Sequence, residues 1–367
     1  MRTSATSPTT RAASAWMILA PARHAGFSLV ELMIAVALGM VVMTVITMAF
    51  VSSSNARRST DQASQQVENG RYAMQILTDD LQLAGYYAEF DPRPLATPAA
   101  KPDPCATDVA SLKAAMSLPV QGYDNPSAAT IAALTCVSDV RSGTDIIVLR
   151  RASTCVAGSA GCDAFAAGTA YFQASLCAGA TELDSANPSD YYAMDTAAGG
   201  LLKHKRDCVT TANLHRFVTR VYFIANNDNP GDGIPTLKRA ELGAGAFTIV
   251  PLVEGIENLQ VEYGIDTSAV PDGASDVFNA DPDTYAGPGA AGVTGNWRNV
   301  VSARINLLAR NTQTTPGYAD SKVYALGRNA DGSANTFTPS GADLGYRRHA
   351  YVEEVRLTNP AQRGMTP

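Results

Sequence analysis

The sequence predicts an α+β fold in which one long N-terminal helix is followed by an antiparallel β-sheet region. An apolar stretch lies near the N-terminus, a seven-residue apolar repeat continues beyond it, and segments rich in β-branched and aromatic residues dominate the second half. The chain has 367 residues, 46% of them hydrophobic and 17% charged. This composition is typical of a globular protein and excludes a mostly disordered one.

The apolar stretch covers residues 27–51, and Glu31 is its only charged residue. A helix of about 25 residues spans roughly 37 Å, enough to cross the ~30 Å hydrocarbon core of a membrane. Arg2, Arg11 and Arg23 precede it without an acidic residue, which favours a cytoplasmic N-terminus. A secretory signal peptide is one alternative, but its apolar core runs only about 7–15 residues. A plain membrane anchor is another, but it leaves the costly carboxylate of Glu31 unexplained.

Residues 25–31 (Ala-Gly-Phe-Ser-Leu-Val-Glu) resemble the class III leader junction of type IV prepilins. In that family a membrane-embedded peptidase cuts after the glycine, and the new amino terminus is methylated. The resemblance implies cleavage between Gly26 and Phe27 and methylation of the Phe27 amine. It also implies that Glu31 pairs with the Phe27 amine of a neighbouring subunit during assembly, so that two charges in an apolar bundle compensate each other. Leaders of this family are usually short, and Met17 is an alternative start.

A seven-residue apolar repeat predicts that the helix continues to Gly85, where glycine favours a C-terminal stop. In a pilin this seam would pack against the sheet, whereas a coiled-coil dimer is the alternative. Residues 67–87 resemble a second signature of the PilW family of type IV pilus minor pilins. The seam consists of Ala63, Val67, Gly70, Met74, Leu77, Leu81 and Ala84.

The six cysteines all lie between residues 105 and 208, and none has the Cys-x-x-Cys spacing of zinc or redox motifs. If the domain is exported to an oxidising compartment, we expect them to form disulfides. Six buried free thiols in a cytosolic protein are the alternative. Pairing of neighbours in sequence would close short local loops, although other connectivities stay open. The expected pairs are Cys105–Cys136, Cys155–Cys162 and Cys177–Cys208.

The predicted organisation has four parts, ordered along the chain as a leader, a helix, a cysteine-containing segment and a sheet region. Alternation of apolar and polar residues over 259–265 predicts a strand with one buried face. Residues 233–237 and 252–266 again resemble PilW-family sequence. The four parts are a prepilin leader (1–26), the pilin helix (27–85, membrane-spanning over 27–51), a loop-rich insertion (86–215) with its best strands at 144–149 and 170–176, and an antiparallel sheet region (216–367).

The sequence contains no pattern that predicts catalysis, a cofactor or a metal. The four histidines are scattered, and Asp79 and Asp80, being adjacent on a helix, face different directions. Residues 228–239 superficially resemble a calcium loop but have Pro230 and Arg239 at ligand positions. A second acidic loop is interpreted as solvated; it contains Asp272, Asp276, Asp281 and Asp283.

The resemblance implies a structural protein and not an enzyme. We expect a minor pilin that joins other minor pilins and the major pilin in a priming or tip complex, which supports adhesion or twitching motility. Its other partners would be the prepilin peptidase, the inner membrane and a tip adhesin, and it would move from the inner membrane to the pilus on the cell surface. A pseudopilin of a type II secretion system is one alternative. A pilin that itself binds DNA or a surface ligand is another, although a net charge of −6 argues against nucleic acid.

Overall fold

A computed structural model describes residues 26–364 of the chain, with side chains through residue 362. The chain divides into two compact units, Met1–Arg57 and Arg58–Pro367. Helix α1 (Leu29–Leu83) contributes its first part to the first unit and its second part to the second. The expected leader, residues 1–26, lies outside the described residues except for Gly26.

The second part of α1 buries the predicted apolar seam from Gly70 to Ala84, whereas Ala63 and Val67 are only half-buried. Leu77 and Leu81 are fully buried in a core formed with strands of both sheets. Burial of each such leucine contributes about 2 kcal/mol of transfer free energy. The helix is followed by Gly85, whose φ of +73° favours glycine and ends the helix where the sequence predicts.

The first sheet has seven strands, all paired antiparallel, in the order β1-β2-β5-β3-β4, with β6 joining β5 to β7. Its strands are β1 (Val120–Tyr123), β2 (Ile146–Val156), β3 (Tyr171–Ala174), β4 (Tyr192–Asp195), β5 (His215–Ala225), β6 (Thr236–Leu242) and β7 (Phe247–Glu254).

The second sheet has four strands in the order β13-β10-β8-β9, also antiparallel. A separate hairpin, β11 and β12, packs on it. The strands are β8 (Ile256–Ile265), β9 (Val277–Asn279), β10 (Val300–Arg310), β11 (Tyr324–Arg328), β12 (Ala334–Phe337) and β13 (Arg348–Arg356). The other helices are short: the α-helices α2 (Val109–Ala115), α3 (Ala128–Ala133), α4 (Val293–Arg298) and α5 (Thr358–Gly364), and 3-10 turns at Pro188–Tyr191, Ala198–Gly200 and Gly341–Gly345.

The strand predicted over 259–265 is β8, and its apolar face is buried as predicted, but its polar face is buried as well. The face that carries Gln260 and Glu262 is covered by the β11–β12 hairpin. Asn335 of β12 donates a hydrogen bond to Gln260 at 2.9 Å, and a Cβ on Gly327 of β11 would overlap Glu262 and its neighbour Asn306. The polar residues on this face therefore bond inside the protein and do not face solvent.

Residues 86–215, expected to be a loop-rich insertion, contribute β1–β4 and the helices α2 and α3. The predicted strands at 144–149 and 170–176 correspond to β2 and β3. Strand β5 begins at His215 and pairs with both of them, so the segment belongs to the same sheet as the residues that follow it. The boundary at residue 216 stays a prediction, and it lies inside the compact unit Arg58–Pro367.

Candidate functional site

The N-terminal junction places Gly26, Phe27 and Ser28 immediately before α1, with the Phe27 side chain 89% exposed. The Ser28 backbone N–H donates a hydrogen bond to Glu31 Oε2 at 3.3 Å. Ser28 directly precedes the first helical residue, and Glu31 is the third residue of the helix, so this bond is one half of a capping box. The Glu31 carboxylate thus stabilises the positive end of its own helix.

The first part of α1 has the composition of a membrane span. An 18-residue window has a mean hydropathy of 2.6, and none of that window is buried inside the protein. Thr44 and Thr47 donate their hydroxyl hydrogens to the carbonyls of Met40 and Met43, at 2.8 and 2.7 Å. These bonds satisfy the only hydroxyl groups in residues 29–51 within the helix, as a lipid environment requires. The junction and the apolar helix together fit a membrane-anchored protein.

Asp80 fixes the second part of α1 to the first sheet through charge. Its side chain is buried, and its Oδ1 accepts hydrogen bonds from Arg151 Nε at 3.0 Å and Arg220 Nη1 at 2.9 Å. The Tyr222 hydroxyl donates to Asp80 Oδ2 at 2.9 Å. Desolvation disfavours the charged form of Arg220, but Asp80, Tyr222 and Glu241 outweigh it and raise its pKa. Sequence reasoning considered Asp80 only as a catalytic partner for Asp79 and missed this role.

Close approach at Gly70 and a polar clamp at Gln66 hold the same helix against the second sheet. A Cβ on Gly70 would overlap the ring of Tyr351 of β13. One turn earlier, Gln66 Nε2 donates to the carbonyls of Ala309 and Arg347 at 2.8 and 3.0 Å. The 67–87 signature therefore contains Gly70 and Asp80, two of the positions at which α1 contacts the sheets, whereas Gln66 lies just before it.

A buried ion network centres on Glu257 of β8. Arg348 contacts its carboxylate through Nε at 2.5 Å and Nη2 at 3.1 Å, and Arg310 Nη1 lies 3.3 Å away. Arg141 lies at 3.5 Å, and Arg348 also donates to Asp320 at 3.2 Å. The side chains of Glu257, Asp320 and Arg348 are fully buried. Because each charge has an opposite partner, the desolvation cost of this network is offset.

The six cysteines are joined in three disulfides, and none is free among the described residues. The pairs are those that join neighbours in sequence, at Cα–Cα separations that suit a disulfide. The separations are 5.3 Å for Cys105–Cys136, 5.7 Å for Cys155–Cys162 and 4.9 Å for Cys177–Cys208.

The loop at residues 226–235 is a turn between β5 and β6, closed by its own hydrogen bonds. Asp232 accepts bonds from the backbone N–H groups of Asp228, Asn229 and Ile234. The bond from Asn229 is the main cause of the lowered pKa of Asp232. The carboxylate of Asp232 is therefore bonded to backbone N–H groups and is not arranged with other oxygens around a metal position.

The second acidic loop is likewise tied to the protein. Asp276 accepts from the backbone N–H of Thr267 at 2.7 Å, which lowers its pKa. Asp283 contacts Lys101 Nζ and Trp297 Nε1, each at 2.5 Å. In the part of the chain that the structure describes, no group of three or more His, Cys, Asp or Glu residues is placed to hold a metal ion.

Two sequence families match the chain. Residues 21–47 match the family described as the prokaryotic N-terminal methylation motif, which includes the junction and the start of α1. Residues 221–359 match the family described as Type IV Pilus-assembly protein W, from β5 to the start of α5. With a long apolar N-terminal helix whose second part packs on antiparallel sheets, these matches define a type IV pilin-like protein. Within that class, the match over residues 221–359 supports a type IV pilus minor pilin of the PilW family.

A solved pilin structure is distantly similar to the chain. This type IV-like pilin from Thermus thermophilus is 12% identical to the chain with a TM-score of 0.34, and the alignment covers 83% of this chain and 97% of that one. No curated protein sequence matches the chain. The fold and the family are those of structural proteins and not of enzymes.

Proposed function

We propose that the chain is a structural subunit that joins other minor pilins in a complex that primes pilus assembly and remains at the filament tip. The observation that carries this proposal is the junction: Glu31 is the only charged residue in the exposed apolar part of α1 (residues 29–51), and the methylation motif includes the start of that part. A carboxylate at that position is costly in lipid unless it has a partner.

The proposed sequence of events begins with cleavage of the Gly26–Phe27 peptide bond by the prepilin peptidase, followed by methylation of the Phe27 amine. Methylation keeps the amine cationic. The Glu31 carboxylate, which in the structure accepts one bond from Ser28 N–H, retains lone pairs for the cationic amine of a neighbouring subunit. The unit Arg58–Pro367 would then face the periplasm before assembly and the cell surface afterwards, with no enzymatic role.

Three variants separate charge pairing from helix capping. Glu31→Leu removes both, Glu31→Gln keeps an acceptor for the cap but loses the charge, and Ser28→Ala weakens the start of the helix but keeps the carboxylate. Each would be the only copy in cells whose membranes are fractionated and whose sheared filaments are analysed. We expect Glu31→Leu and Glu31→Gln to be cleaved normally but retained in the inner membrane with fewer pili, since a buried cation without its partner costs several kcal/mol.

Ser28→Ala serves as the matched control and should enter filaments normally. Normal amounts of Glu31→Leu in sheared filaments would contradict the assembly role. If Glu31→Gln entered filaments normally and Glu31→Leu did not, Glu31 would act as a helix cap and not through its charge.

A further inference from the structure

One face of the first sheet is covered by α1 over only part of its length. Residues Leu149 and Tyr222 on this face pack against the helix in the main core. In the register of β2 with β5, Leu149 lies opposite Arg220 and Arg151 lies opposite Val218. Because opposite residues share a face, the same face continues past the helix as a surface of arginines.

A cleft of about 490 Å³ lies along this surface. Arg151, Arg216, Val218 and Arg220 line it from β2 and β5, and Glu241 lines it from β6. We call this cavity the arginine cleft. Its far wall is the loop closed by the Cys155–Cys162 disulfide together with the residues that follow it, and Ala157 and Ala164 of this wall line the cavity. The disulfide thus holds a wall opposite the sheet.

Guanidinium groups outnumber carboxylates around the arginine cleft. Glu241 is shared by Arg216 at 3.1 Å, Arg220 at 3.2 Å and Arg239 at 2.8 Å. Asp80 is shared by Arg151 and Arg220. Of the residues that line the cleft itself, three carry guanidinium groups (Arg151, Arg216 and Arg220) and two carry carboxylates (Glu241 and Asp163).

One arginine of the cleft has a donor that the protein does not use. The Nε atom of Arg216 is buried and makes no hydrogen bond with any residue in the described range 26–364. Buried N–H groups of this kind are uncommon in native proteins, and such a group disfavours the structure until an acceptor is supplied. This unused donor therefore favours an acceptor group beside Arg216 at the edge of the cleft.

We propose that the arginine cleft binds an organic carboxylate. A planar guanidinium donates two parallel hydrogen bonds to a carboxylate, which suits Arg216 at the edge of the cleft. Val218, Ala157 and Ala164 provide an apolar surface for the carbon part of the ligand. Glu241 and Asp163 disfavour a polyanion such as nucleic acid, because they place negative charge on the same walls. The carboxylate comes either from a free small acid or from an acidic side chain of another protein.

The test is isothermal titration calorimetry on the full chain in detergent micelles, with two probes. Succinate represents a free acid, and the blocked peptide acetyl-Ala-Glu-Ala-amide represents a protein side chain. We expect saturable binding of at least one probe, weakened about tenfold or more in Arg216→Gln. Arg304→Gln is the matched control, since Arg304 is a similarly exposed arginine of the second sheet and pairs there with Glu354.

Ala164→Glu is a second variant that leaves every arginine in place. Ala164 is exposed on the loop wall, so a carboxylate there should occupy the cleft and abolish probe binding without loss of folding. Tighter binding of succinate would identify a free acid, and tighter binding of the peptide would identify a protein side chain. The proposal is overturned if neither probe binds at about 10 mM, if inorganic sulfate binds as tightly as both, or if both cleft variants bind like the wild type.

Discussion

Asp80 shows how one side chain fixes the position of a helix. Its carboxylate meets two guanidinium groups and a tyrosine hydroxyl from two adjacent strands. Asp79, its neighbour in sequence, is exposed. The two residues therefore have the same chemistry but different surroundings, and they form a matched pair for mutation.

We predict that Asp80→Asn lowers the free energy of unfolding by about 3 kcal/mol, because it leaves Arg151 and Arg220 without the buried charge that they share. Asp79→Asn should change it by less than about 0.5 kcal/mol. Urea unfolding of the full chain in detergent, followed by the fluorescence of buried Trp297, measures both changes. Equal effects of the two substitutions would show that Asp80 does not anchor the helix.

Sequence could reveal some functional residues and not others. The junction is a local pattern that the sequence shows directly. Ser28-x-x-Glu31 is also a capping signal that can be recognised in the sequence. The pairing predicted for Glu31, however, came from the leader resemblance and not from this signal. The role of Asp80 was not readable, because its partners lie 71 and 140 residues further along the chain. Local periodicity shows which face of a helix is apolar, but it does not show which distant charge meets that face.

At the scale of elements, Gly70 allows a close contact between α1 and the second sheet. Gly70 lies against the ring of Tyr351, whose hydroxyl is 3.4 Å from the carbonyl of Val67. Alanine normally stabilises a helix interior relative to glycine by up to about 1 kcal/mol. At Gly70, the overlap with Tyr351 decides instead whether the change to alanine stabilises or destabilises the protein.

We predict that Gly70→Ala destabilises the protein by about 1–3 kcal/mol, since the added methyl group must displace the tyrosine ring. Tyr351→Leu should relieve the overlap, so that Gly70→Ala costs less in that background than in the wild type. The four proteins form a double-mutant cycle measured by urea unfolding. Additive effects would contradict the contact.

The elements differed in how well local sequence described them. The seven-residue repeat predicted the second part of α1, and segments 259–265, 144–149 and 170–176 predicted β8, β2 and β3. Strands β1 and β4 are only four residues long and were not predicted, although β3, which is equally short, was. Strand β8 alternates as if one face were solvated, but the β11–β12 hairpin covers that face. Such coverage depends on contacts between segments far apart in sequence.

At the scale of the whole molecule, the carboxyl groups of Asp145 and Asp207 change the stability of the fold with pH in opposite directions. Burial raises the pKa of Asp145 well above its usual value, although its oxygens accept backbone bonds from Asn125 and Val261. A raised folded-state pKa makes folding take up a proton, so this contribution to stability falls as pH rises through that pKa. Hydrogen bonds from Thr210 lower the pKa of Asp207 to about 2. The ionised Asp207 therefore stabilises the fold above about pH 4, and this contribution to stability is lost as the pH falls towards that pKa.

We therefore predict that the urea midpoint rises as the pH falls through the raised pKa of Asp145 and decreases below about pH 4. Asp145→Asn should flatten the slope on the alkaline side of the maximum, because the titrating group is removed. The acid side should be unchanged in that variant. An unchanged alkaline slope in Asp145→Asn would mean that Asp145 is not the group responsible.

We propose that the chain is a processed prepilin whose mature N-terminus is Phe27, two residues before α1. Mass spectrometry of the N-terminal peptide, on protein purified from membranes of cells with an active prepilin peptidase, tests this most directly. We predict a peptide that begins at Phe27 and carries a methyl group on its amine, with no peptide from residues 1–26. An uncut chain, or an N-terminus near Asn55 as a signal peptidase would leave, would contradict the claim.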